Sequence, residues 1–404
     1  MREMKDSGIE WIGEIPKEWD LIKCKYVTEV YTGNSIKDEE KGLYEDPVDS
    51  IPYISTKDID ATFNSVAYDN GLFIKKIDTS FVRANKGDTL MCIEGGSAGR
   101  KKAILDRTVC FVNKLCCFHP TRINPVYLFY ILNSPHYEEE FSVNMSGLIG
   151  GVSKGKLMNF ILPYPCYDTQ HRIADYLDDK CGKIDRYIEQ QKQVIEKLKA
   201  YKQSVITEAV TKGLDPTVPM KDSGVEWIGE IPDGWEVVKA KYCILITNGS
   251  DPKTQGDTPV YGSGSSSFKT CGEFKEGPCV LIGRKGATLH IPHYIEGKYW
   301  NVDTAFDVKV LDRMELKYYY YLAICFDYKI YMSQTTLPSM TQTSYENMML
   351  PIPSDYEQRQ ITNHLDKKCF SIDLAIKEKQ TLIEKLTEYK KSLIYEVVTG
   401  KKEV

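Results

Sequence analysis

The 404-residue sequence predicts an α+β fold: two mixed α/β domains separated by an antiparallel coiled coil of two long helices, related by a pseudo-two-fold axis. Three observations predict it. MKDSGIEWIGEIPKEWDLIKCKY at residues 4–26 returns almost unchanged as MKDSGVEWIGEIPDGWEVVKAKY at residues 220–242. A charged stretch at residues 162–212 returns at residues 350–400, with Gln170, Ile173, Leu177, Cys181, Ile184 and Asp185 standing as Gln358, Ile361, Leu365, Cys369, Ile372 and Asp373. Between these conserved pieces lie two β-rich segments whose order of features matches while their letters do not.

The chain therefore divides into a conserved block (1–26), a first variable domain (27–161), a central long helix (162–212), a linker with the repeated block (213–242), a second variable domain (243–349) and a C-terminal long helix (350–404). In each block, SGIEWIGEIP or SGVEWIGEIP reads as a turn leading into a short extended segment. Trp11, Trp19, Trp227 and Trp235 are large apolar anchors expected to pack against the foot of a helix rather than to stack on bases, because they lie in the part that repeats. The first variable domain contains IPYISTKDI, the glycine-containing run KGDTLMCIEGGSAGRKKAIL, and a helix opening at Asn124 and Pro125 and reaching Ser146. The second keeps that order with TPVYGSGSSS, GPCVLIGRKGATLHI and a tyrosine-rich helical run from Glu315.

The helices carry a narrow apolar seam with alternating spacings of three and four. It runs through Ile173, Leu177, Ile184, Ile188, Ile195 and Leu198 in the first copy and Ile361, Leu365, Ile372, Ile376, Ile383 and Leu386 in the second. About forty residues make a rod of ~60 Å. Residues 213–219 leave no slack, so the second domain should lie near the far end of the first helix. To bury its seam, the second helix must run back. The expected molecule is a dumbbell whose C-terminus returns to its N-terminus.

Composition narrows the function. The net charge of −5 is not that of a stand-alone nucleic-acid binder, so any DNA binding by the chain alone should be weak and another subunit should supply phosphate attraction. No apolar run approaches the ~20 residues needed to span a bilayer, and MREMKDSG is no signal peptide, which points to a cytoplasmic protein without membrane contact. The twelve cysteines are scattered without a CxxC pair and read as reduced, mostly buried thiols.

The repeated SG[IV]EWIGEIP…W blocks, LPYP and LPIP before the helices, the Q-x-x-I starts at Gln170 and Gln358, and IEKL…Y together give the chain its character. Over essentially its whole length it resembles the specificity subunit of a Type I restriction-modification enzyme. The resemblance implies two target-recognition domains, each reading one half of a bipartite asymmetric site in double-stranded DNA. It implies long helices that set the spacer and dock two methyltransferase subunits, with motor-nuclease subunits completing the restriction complex. It implies no catalysis by this chain, with SAM, ATP and Mg2+ held by the partners.

The residues agree with that division of labour. Asn124, Pro125, Val126 and Tyr127 lack the second proline of an adenine-methyltransferase loop and read better as a helix cap. GGSAG opens no dinucleotide fold, no P-loop is present, and His290 and His293 flank a proline without supporting cysteines, so no metal site is expected. Candidate DNA contacts in the first domain are Tyr53, Ser55, Lys57, Ser97, Arg100, Lys101, Lys102, Ser146, Ser153 and Lys154. In the second they are Tyr261, Ser263, Ser265, Arg284, Lys285, Thr288, Thr336, Ser339, Thr341 and Gln342. Arginine and lysine suit guanine edges or phosphates, and serine and glutamine reach base edges or backbone. A two-headed scaffold for proteins is the alternative from another class. Divergent heads on near-identical supports favour DNA, since only the recognised sequence then needs to change.

Overall fold

The computed structural model describes residues 2–147, 150–264, 266–332 and 338–404. The chain forms two compact units, Met1–Gln191 with Thr381–Val404, and Lys192–Gln380. It passes from one unit to the other twice, each time inside a long helix, Tyr167–Lys212 or Asp355–Val398.

In the first unit, the strands Thr28–Thr32, Leu115–Pro120, Thr89–Cys92 and Lys102–Ile104 form an antiparallel sheet in that order. Its two faces are both covered. Val30, Met91, Cys116 and Phe118 pack on the helix Pro125–Leu132, whereas Leu90, Cys92, Leu115 and Cys117 pack on a second sheet through Ile54, Val109 and Phe111. Alternate side chains thus enter different cores, which is why LMC and LCCF read as unbroken apolar runs. The second sheet is Phe73–Lys75, Ser50–Ile54, Val109–Phe111 and Arg83–Ala84, with the middle pair parallel.

The second unit repeats this topology. One sheet orders Ile244–Asn248, Ala305–Val310, Cys279–Gly283 and His293–Ile295; the other orders Lys269–Cys271, Thr258–Tyr261, Lys298–Asn301 and Lys275–Glu276. Gly33 and Gly249 end the equivalent first strands. An added Cβ at either would sit 1.8 Å from the Phe111 carbonyl oxygen or 2.2 Å from that of Val302, so neither place admits a side chain.

Each long helix begins at a buried glutamine. Gln170 donates to the Pro165 carbonyl (2.9 Å) and accepts from the Asn124 amide (2.8 Å), holding the helix start against the domain's own helix. Gln358 does the same with Pro353 (3.1 Å) and the Glu315 amide (2.7 Å). The residues before them are strands, not helix. Leu162, Pro163 and Tyr164 belong to the strand Ile161–Tyr164, paired with Asp20–Lys23, and Met349–Ile352 pairs with Glu236–Lys239. The prolines in LPYP and LPIP disfavour helix at the residues before them. Within Asn124 to Ser146 the expected single helix is two, Pro125–Leu132 and Pro135–Val143, because Ser134 and Pro135 start the second.

In the first unit the opening of one long helix packs antiparallel on the close of the other. Ile173, Leu177 and Cys181 share a core with Leu393, Ile394, Val397 and Val398, and Asp185 pairs with Lys390 at 2.7 Å. The second unit joins Ile361, Leu365 and Cys369 to Ile206, Ala209 and Val210, and pairs Asp373 with Lys202 at 2.6 Å. Tyr127 and Tyr318 complete the joint. The Tyr127 hydroxyl lies 3.1 and 3.2 Å from the Pro163 and Val398 carbonyls, and that of Tyr318 lies 3.1 and 3.2 Å from those of Val210 and Pro351. Of the remaining seam positions, Ile188, Ile195 and Ile372 are buried, while Ile184, Leu198, Ile376, Ile383 and Leu386 are half-buried.

The helices end on glycines with positive φ, Gly213 against Trp235 and Gly400 against Pro16 and Trp19. Tyr395 donates to the Ile12 carbonyl (3.4 Å), so the chain's close lies on its first block. All twelve cysteines are free, and ten are buried.

Candidate nucleic-acid interface

A residue can read DNA only if its polar atoms reach solvent on a face that a groove can approach. In both units, three separate stretches meet at one edge of the domain, beyond the ends of strands from both of its sheets. In the first, the loop after Thr89–Cys92 carries Ser97, Arg100 and Lys101. It is stitched to the segment around Gly150 and Gly151 by the Gly95 amide on the Gly150 carbonyl (2.9 Å) and the Val152 amide on the Ile93 carbonyl (3.1 Å). Lys101 Nζ donates to the Thr56 carbonyl (2.8 Å), drawing in Ser55 and Lys57. Gly99 turns this loop with φ +72°, and an added Cβ would strike the Phe141 ring at 2.6 Å.

The second unit closes the same way. The Gly286 amide donates to the Pro338 carbonyl (3.0 Å) and the Met340 amide to the Arg284 carbonyl (2.9 Å). Ser263 Oγ donates to the Lys285 carbonyl (2.6 Å), bringing Tyr261 and Ser263 alongside. Gly286 has φ +114°, and a Cβ there would lie 2.9 Å from Ser263 Oγ.

The structure sorts the individual candidates. Lys57, Arg100, Ser146, Ser153, Lys154 and Thr341 are exposed. Ser97, Lys101, Arg284, Lys285, Thr288, Ser339 and Gln342 are half-buried at the same edges. Several also have local duties: Ser55 forms a capping box with Asp58, Ser153 and Thr341 cap short helices, Arg100 donates to the Gly96 carbonyl, and Gln342 donates to Glu346 (2.7 Å). Arg284 lies over Phe306, 5.7 Å from the ring centroid, and donates to the Asp303 carbonyl at 3.3 Å.

Two candidates are corrected. Tyr53 is buried, edge-on to Phe81, with its hydroxyl donating to the Asn34 carbonyl (2.6 Å), so it has nothing to offer a groove. Lys102 is fully buried. Its Nζ sits 2.8 Å from both Glu138 Oε1 and the Leu132 carbonyl, and burial holds its ammonium below the ordinary lysine range. Its role is to tie the sheet to the helix layer. Nor does Tyr53 occupy the place that Tyr261 has in the second unit. Val112 and Val302 donate to the carbonyls of Ile54 and Tyr261, so Ile54 is the structural partner of Tyr261, and a one-residue shift in a strand exchanges its faces. Ser265 and Thr336 lie outside the described residues.

Sequence reading missed other groups. An open depression of about 500 Å3 beside Lys57 and Lys101 is also lined by Asp60, Thr62 and Ser65. Phe268, 60% exposed, stands beside Gly262. Its signal was an aromatic ring at the end of a glycine- and serine-rich stretch. Chemically, these edges offer cations, hydroxyls and backbone amides, which suit phosphates and base edges. Among the described residues no cluster of three or more His, Cys, Asp or Glu could hold a metal ion, and no helix is long and apolar enough to cross a membrane.

Comparison with known proteins points the same way. A family model described as the Type I restriction modification DNA specificity domain matches residues 16–200 and 232–387. The putative type I restriction enzyme MjaX specificity subunit of Methanocaldococcus jannaschii is 29% identical over 276 residues, covering 64% of this chain and 61% of the relative. The MjaVIII specificity subunit of the same organism is 28% identical over 248 residues, 58% of this chain and 51% of the relative. The match thus spans only about half to three-fifths of the length of these relatives. Among solved structures, a chain from work on complex assembly and conformational transition of the type I R-M system aligns with a TM-score of 0.74 at 15% identity, covering 96% of this chain and 99% of that one. The HsdS subunit from Thermoanaerobacter tengcongensis aligns at 0.51 and 16% identity, covering 96% and 98%. At such identities these two likenesses speak for the fold.

Proposed function

Because the chain belongs to the Type I restriction-modification DNA specificity family, we propose that it is the DNA-reading subunit of such a system, each unit recognising one half of a bipartite, asymmetric site. The observation that carries this reading is the twofold meeting of three divergent loops at one edge of the domain, on supports repeated contact for contact. The buried glutamines, the Tyr127 and Tyr318 joints and the Asp185–Lys390 and Asp373–Lys202 pairs recur, whereas the residues at the two edges do not. A conserved frame with changing edges is what sequence reading demands. Were the target symmetric, one copy acting as a homodimer would suffice.

Chemistry is assigned to partners. Two methyltransferase subunits would dock on the conserved helices and hold SAM, and motor-nuclease subunits would bring ATP and Mg2+. A net charge of −5 leaves phosphate attraction to those partners, so the assembled complex should bind tightly and with steep salt dependence.

The long helices are proposed to set the spacer between the half-sites. Seven residues inserted into both helices add about 10.5 Å at ~1.5 Å per residue, or about three base pairs at ~3.4 Å each. The expected result, read by mapping methylated sites, is a spacer longer by about three base pairs with both half-sites unchanged. Altered half-sites would contradict the assignment of reading to the domains and spacing to the helices.

A further inference from the structure

We propose that Phe268 determines specificity in the second unit by reading the C5-methyl group of a thymine. This rests on the DNA-reading function above and extends it to one side chain and one chemical feature of a base.

Phe268 immediately precedes the edge strand Lys269–Cys271, and its amide donates to the Val260 carbonyl at 3.1 Å. The backbone is thereby held, yet the ring is 60% exposed. It borders Gly262, where an added Cβ would lie 3.7 Å from its Cε1. Next to Gly262, Ser263 is bonded to the Lys285 carbonyl, so the ring shares an edge with Arg284 and Lys285. Lys269 Nζ stands 5.5 Å from the ring centroid. An apolar ring with one cation beside it, on an edge that also carries Arg284 and Lys285, is complementary to a polyanion that also carries apolar spots.

One exposed phenylalanine is ordinary on a protein surface; its place and its counterpart single this one out. In the second unit Val260 pairs with Lys269, which puts Phe268 opposite Tyr261. In the first unit the same antiparallel register, Pro52 with Phe73, puts Gly71 opposite Ile54, the structural partner of Tyr261, and a glycine has no side chain to offer there. The exposed aromatic is thus a feature of one reading edge and not of the shared frame. Phe274 provides an internal contrast. It is 50% exposed and covered by Lys298 at 4.3 Å, but Lys298 begins its strand while the reading edge lies beyond Tyr261, at the other end of the parallel pair. A side chain without donors or acceptors can read one feature in the major groove, the thymine methyl. The neighbouring cations remain for phosphates and guanine.

The test uses the complex of the full chain with its methyltransferase subunits, wild type and with F268A, F268L or F274A. Each thymine of the mapped site is replaced in turn by deoxyuridine, which lacks only the methyl group. Wild type and F274A should lose about fourfold in affinity at one thymine of the half-site read by the second unit, the effect of one methyl group returned to water. F268A should not distinguish thymine from deoxyuridine there, F268L should retain part of the difference, and the other half-site should be unaffected. Persistence of the thymine preference in F268A, or an equal loss on all DNA, would overturn the proposal. Phe268 is exposed, and an unchanged melting curve for F268A separates loss of the contact from loss of fold. Absence of any sequence preference in the wild-type complex would instead remove the DNA-reading function itself.

Discussion

Glu138→Gln is expected to remove about 3–5 kcal/mol from the stability of the first unit, the cost of stranding a buried ammonium. The Lys102 side chain is wholly inaccessible, while that of Glu138 is 30% exposed. Glutamine keeps the shape and one acceptor but removes the charge that offsets desolvation. Lys102→Met, by contrast, removes the buried charge and leaves Glu138 able to reach water, so it should lie within about 1 kcal/mol of wild type. Denaturant unfolding of the full chain reads both. The pH dependence has a definite sign. Burial lowers the pKa of Lys102 from its ordinary 10.5, so the unfolded chain binds this proton more tightly than the folded one. The penalty is complete below the folded pKa and is relieved as pH rises toward 10.5. Stability should therefore recover with rising alkalinity, and more in the glutamine variant than in wild type. A Lys102→Met protein that folds fully but loses DNA modification would restore Lys102 as a contact.

Arg284→Ala combined with Lys285→Ala should abolish effective recognition of one half-site while sparing the other. A guanine contact contributes about 1–3 kcal/mol, so losing both cations should weaken binding by the assembled complex at least about thirtyfold. Arg284→Lys keeps charge and much of the stem over Phe306 but not the planar fork, and separates the two uses of the residue. If Arg284 reads guanine, the lysine variant relaxes selectivity at one base; if it holds phosphate, affinity and base preference stay near wild type. Unchanged binding and an unchanged site in the double alanine variant would exclude this edge from the interface.

Much of the frame was legible because repetition and period are properties of the sequence itself. The seam from Ile173 to Leu177 and from Ile361 to Leu365 needs only spacings of three and four, and the glutamines announce themselves by recurring. The misreadings have a common cause. Leu162 to Tyr164 became a strand because Asp20–Lys23, far away in sequence, offers its edge. Tyr53 and Lys102 looked like polar loop residues because nothing local shows that a second sheet and a helix layer cover them. The ion pairs Asp185–Lys390 and Asp373–Lys202 lie outside the apolar seam, and only the antiparallel packing inside each unit brings their partners together. Phe268 was overlooked for a related reason. Its exposure follows from its place at a strand edge, which composition does not reveal.

The proposed function is the selection of a split DNA sequence, with the chemistry left to partner subunits. Its most direct test is single-molecule sequencing of genomic DNA from a methylation-deficient host that co-expresses the chain with its cognate methyltransferase subunit. The expected result is N6-methyladenine confined to one asymmetric motif of two half-sites with a fixed spacer. A stable complex of the two proteins that leaves no such motif would contradict it.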